Sequence, residues 1–79
     1  MKPLTQYTSR QLSEISETLH KAASGRVTCA EVIEKLLAQE LVPQSQKAEA
    51  AILRAEAAHI AEGAEIISQI AAKKGRAAA

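Results

Sequence analysis

Two Glu-x-x-His pairs are the residues of this sequence best placed for chemistry: Glu17 with His20, and Glu56 with His59. A spacing of three puts a carboxylate and an imidazole on one face of a helix. On two helices of a bundle, with further glutamates from two others, that pattern holds a pair of metal ions. Ligands of this kind must point inward, and Glu17 falls on the solvent side of its helix. Glu56 and His59 interrupt an apolar arc, where a local Glu–His pair or an interface hydrogen bond is the simpler arrangement. We therefore expect no metal and no cofactor. Cys29 is the one cysteine. It falls in the first turn of an expected helix, where the dipole favours a thiolate. No base or oxyanion site accompanies it, and a free cysteine is most often a small buried hydrophobe. The sequence has no P-loop, G-x-G-x-x-G, C-x-x-C or aspartate pair, so the expectation is a protein without enzymatic activity.

The basic group Lys73, Lys74 and Arg76 is suited to phosphate, but cations at a helix C-terminus also complement its dipole. Formal net charge is only +1, which gives no broad field to steer the chain to nucleic acid or anionic lipid. No apolar run follows Lys2 and none is long enough for a membrane span, so we expect no signal peptide, no membrane insertion and a cytoplasmic location. A single cysteine fits a reducing compartment.

The elements that must position these residues are helices. The chain has 79 residues, 47% hydrophobic but only 1% aromatic. Such a core of Ala, Leu, Ile and Val favours close helix–helix contact over a globular centre. We expect one small all-α domain: helices at about 8–24 and 28–41 packed on part of a long helix at about 44–74, with an arm at 1–7 and a frayed tail at 75–79. Thr8 and Gln11 form a capping box at the first start, with Tyr7 and Leu12 as a staple. Leu12, Ile15, Leu19 and Ala22 give the first helix its apolar face, and Ser24-Gly25 ends it. Thr28 and Glu31 repeat the box, with Val27 stapled to Val32. Cys29, Ala30, Ile33, Leu36, Leu37 and Leu41 then face inward until Pro43.

The long helix carries a large/small seam. Leu53, Ile60 and Ile67 alternate with Ala50, Ala57, Ala64 and Ala71, and Ile52, Ile66 and Ile70 form a second ridge. This arc is wider than one neighbour needs, so one flank is expected to hold the short helices and the other a second copy or another protein. The expected dimer interface is Leu53, Ala57, Ile60, Gly63, Ala64, Ile67 and Ala71. Gly63 marks either the closest helix crossing or a tolerated weak turn.

The stretch Ala23 to Ala38 resembles the leading helices of amidase-signature enzymes. None of that family's serine- and glycine-rich catalytic motif is present, so the resemblance implies no activity. The functional expectation is a helical interaction module: a homodimer that binds and regulates or inhibits another protein. Its small size also suits an inhibitor carried by a phage or mobile element. Arg54, Glu62, Glu65 and Gln69 are the candidate partner-binding residues. The alternative is a small DNA-binding regulator using helices one and two. Against it, Glu31, Glu34, Lys35 and Gln39 make a mixed face where a reading helix would be basic or amide-rich.

Overall fold

Small residues recur every seventh position in both halves of the chain, at Ser9, Ser16, Ala23 and Ala30, and again at Ala50, Ala57, Ala64 and Ala71. A seven-residue repeat keeps one stripe of a helix facing its partner when the two wind gently around each other. A stripe of Ala and Ser lets the backbones approach closely. The structure, a computed structural model that describes residues 6–78, is the antiparallel hairpin these stripes dictate. Helix α1 spans Ser9–Ala38 and helix α2 spans Gln46–Ala78. The described residues extend over 56 × 20 × 14 Å.

Two hydrogen bonds fix the register. The Ser9 hydroxyl donates to the Ala71 carbonyl at 2.7 Å, and the Ser16 hydroxyl donates to the Ala64 carbonyl at 2.8 Å. Continuing that register sets Ala23 opposite Ala57 and Ala30 opposite Ala50. Six of these alanines and Leu12 make up the buried aliphatic core, and Ser16 is the buried polar residue, satisfied by its bond. At the open end, Lys74 Nζ donates to the Tyr7 carbonyl at 2.7 Å, tying the last turns of α2 to the start of α1.

The first helix begins where its punctuation places it. The Gln11 amide donates to Thr8 Oγ1 at 3.1 Å, and the Thr8 amide donates to Gln11 Oε1 at 2.9 Å. It does not end at Gly25. The expected helices at 8–24 and 28–41 are one helix of 30 residues, and none of the glycines has a positive φ. Thr28 is therefore no cap: its hydroxyl donates back to the Ser24 carbonyl at 3.1 Å, as a helix-interior threonine does. Packing along α2 overrides the local weakness of Ser24-Gly25, because a break there would forfeit the seam at Ala23 and Ala30.

α1 stops at a Schellman motif. The Leu41 amide donates to the Leu36 carbonyl at 2.9 Å and the Glu40 amide to the Leu37 carbonyl at 3.1 Å. Glu40 takes the left-handed position with φ 57°, where glycine is usual. Pro43 lies in the connection, and its carbonyl accepts from the Gln46 amide at 3.0 Å as α2 begins. α2 also outruns its expected end. Gly75 lies inside it, where a Cβ would sit 3.3 Å from Ser9 Oγ. The expected frayed tail is helical through Ala78, and Ala79 lies outside the described residues, as do residues 1–5 of the expected arm.

Candidate functional site

The seam sorts every other residue by its distance from it along the chain. Residues three after a seam position, or one before it, lie on one side of the helix; residues four after lie on the other. Because the helices are antiparallel, like sides coincide in space, and an ion pair marks each. On the first side Arg26 Nε donates to Glu56 Oε2 at 3.1 Å. On the second, Arg54 grips Glu34 with two bonds, Nε to Oε2 at 2.8 Å and Nη2 to Oε1 at 2.6 Å. That contact holds the Glu34 carboxyl below its ordinary pKa and raises that of the Arg54 guanidinium, chiefly through the hydrogen bonds.

The two sides differ in chemistry. The second is smaller and more polar, with Ser13, His20, Ala61 and Ser68, and one branched aliphatic residue, Val27, beside the Arg54–Glu34 pair. The first carries the bulk. Ile15 and Leu36 of α1 lie there half-buried, as do Leu53, Ile60, Ile67 and Ile70 of α2. Further round, on opposite outer edges of the hairpin, Val32 of α1 is 51% exposed and Ile52 and Ile66 of α2 are 51% and 53% exposed. Their branched aliphatic chains meet no covering element. A shallow groove of mixed lining, Tyr7, Gln11, Glu14, Ile15, Thr18 and Leu19, lies along the start of α1.

The expected dimer seam divides between the two locations. Ala57, Ala64 and Ala71 are covered by α1 of the same chain, at 4%, 0% and 2% exposure, whereas Leu53, Ile60, Gly63 and Ile67 are only half-buried. The long helix has not outgrown its hairpin in length, since α1 runs beside nearly all of it. What it leaves uncovered is a lateral face. Sequence reasoning put Ile15 and Leu36 on the apolar faces of two separate helices; dividing α1 at Gly25 hid that they share one side of one helix. The signal that could have prevented this is the matched spacing of Ser9, Ser16, Ala23 and Ala30.

The candidate partner-binding group is not one cluster. Arg54 is engaged with Glu34 across the seam, while Glu62, Glu65 and Gln69 are exposed on the outer side of α2. Glu56 does not pair with His59 as expected; it reaches Arg26, and His59 is exposed. Glu17 and His20 are both exposed, and among the described residues no three His, Cys, Asp or Glu side chains gather as a metal would require. Cys29 sits in mid-helix and is exposed, with no helix N-terminus beside it and no burial. The two short helices needed for a helix-turn-helix are one continuous rod. Among the described residues no helix is long and apolar enough to cross a membrane. Compared with family models, with curated proteins and with solved structures, this chain matches none.

Proposed function

We propose that this chain is a non-enzymatic helical interaction module that acts as a homodimer and binds, and so regulates or inhibits, another protein. One observation carries the reading: Ile52 and Ile66 stand exposed beside half-buried Ile70 on one uncovered side of α2, next to half-buried Ile15 and Leu36 on the like side of α1. A second consideration supports it. The buried core is Leu12 and six alanines, and a hairpin of this size with so little covered bulk gains stability by association.

Self-association and target binding have separate tests. Sedimentation from low to high micromolar concentration should show a concentration-dependent dimer, with a melting temperature that rises with protein concentration. A monomer throughout that range removes the homodimer. Target binding is tested by co-purification from the native host. A partner lost on replacing Glu62 and Glu65 by Lys, with the dimer intact, places the target on the outer charged strip of α2.

A further inference from the structure

Two glycines sit in mid-helix with no reason inside the hairpin. A Cβ added at Gly25 or at Gly63 would meet nothing within 4 Å. A helix-interior glycine costs about 1 kcal/mol against alanine, and this chain uses alanine freely elsewhere. Gly75 is the contrast, since there Ser9 crowds the space a methyl group would need. Gly63 lies one residue before Ala64, on the uncovered side of α2, while Gly25, two after Ala23, lies on the outer edge of α1. Something arriving from outside the hairpin would account for Gly63.

We propose that a second copy of this chain lies on that face, α2 running antiparallel to the copy's α2, with Gly63 making room for the copy's His59. This rests on the reading of the chain as a self-associating module and specifies the surface and register it uses. A second copy fits because the face is complementary to itself. Turning a copy end over end about an axis between His59 and Gly63 places Ile52 beside the copy's Ile70, and Ile70 beside the copy's Ile52. The same rotation sets Glu49 beside the copy's Lys73. Both residues are exposed, and neither has an ion-pair partner among the described residues. A two-fold contact makes each of these pairs twice. Ile66 then lies over the aliphatic stem of the copy's Glu56, whose carboxylate is already held by Arg26.

The sign of a glycine substitution separates this arrangement from a bare hairpin. In an isolated hairpin Gly63→Ala and Gly63→Leu improve helix propensity, and the Cβ each adds touches nothing, so both should raise the melting temperature. In the dimer Gly63→Leu fills the space of the copy's His59 and should raise the dimer dissociation constant about tenfold or more. Circular dichroism verifies that each variant remains helical. Lys73→Glu and Glu49→Lys should each weaken the dimer a few-fold at low salt, and the double variant should recover it. If the wild-type protein is monomeric at every concentration, the self-association reading itself fails. If it dimerises and Gly63→Leu leaves the dimer intact, association uses another face and only this proposal is overturned. A charge-swapped double variant as weak as its parents overturns the antiparallel register.

Discussion

The two stripes of aliphatic side chain on α2 do different work. The seam at Ala50, Ala57, Ala64 and Ala71 is made of the smallest side chain that still covers a backbone, and it is almost completely buried. The outer face at Ile52, Ile66 and Ile70 is made of large branched ones, and it is open or half-open. Burial per residue is modest in the seam, but the short distance it permits lets Ser9 and Ser16 reach main-chain carbonyls of the facing helix. Size is therefore the constraint inside, and apolar character the constraint outside. The first stripe holds the hairpin's shape, and the second is left free for the second copy proposed above.

Leu12 stands three residues after Ser9, at the edge of the seam on its apolar side, and breaking it has the largest expected effect. It is the one large side chain buried to 0% exposure. Leu12→Ala should cost about 2–5 kcal/mol, which in a domain of this size abolishes a cooperative thermal transition or moves it down by tens of degrees. A melting curve close to wild type would mean that the alanine stripe holds the hairpin unaided.

The comparison itself is tested by adding bulk to one stripe and removing it from the other. Ala57→Leu forces α1 away from α2 and should cost about 1–3 kcal/mol or more. Ile66→Asn removes a similar amount of apolar surface from the open face, and should change the stability of the hairpin by no more than about 0.5 kcal/mol. Denaturant titration at a concentration where the protein is monomeric compares the two on one scale. Equal losses would show that the open face is part of the fold.

The seven-residue seam was half legible from the sequence. On α2 the alanines stand among isoleucines and stand out as a register. On α1 the same register begins with two serines, and helical-wheel reasoning assigns serines to the solvent side. Thr8 and Thr28 show the other limit. Each opens the same four-residue capping pattern, with Gln11 and with Glu31. At Thr8 the preceding residues leave the helix, and the box forms. At Thr28 the seam continues through Ala23 and Ala30, so the backbone never leaves the helix and the hydroxyl turns back to Ser24. Local punctuation proposes an end, and the partner helix decides whether it is used. The uncovered face was legible in kind, as an apolar arc too wide for one neighbour, but that Ile15 and Leu36 lie along one continuous helix beside it was not.

Glu40 allows the seam to be strengthened without touching either stripe. It holds the left-handed position that closes α1, at φ 57°, where a Cβ costs roughly 1 kcal/mol and glycine does not pay it. Glu40→Gly should raise hairpin stability by up to about 1 kcal/mol, seen as a few degrees in the melting temperature. The dimer constant of the folded protein should be unchanged. If association shifts along with stability, hairpin closure and the open face are coupled.

The ion pair on the polar side gives the smallest effect and contrasts that side with the apolar one. Arg54 holds the Glu34 carboxyl below its ordinary pKa, so the folded chain binds this proton less tightly than the unfolded chain. The sign follows from that difference: the stabilisation is present at neutral pH and is lost as pH falls through the carboxylate range. Both side chains are well exposed, so solvent and salt screen the pair and its contribution is small. Glu34→Gln should therefore melt slightly below wild type at neutral pH and low salt, and together with it in acid. Because Glu34 and Arg54 lie across the seam from Ile52 and Ile66, the dimer constant should not follow this titration. A dimer that weakened with Glu34 protonation would place the second copy on the polar side.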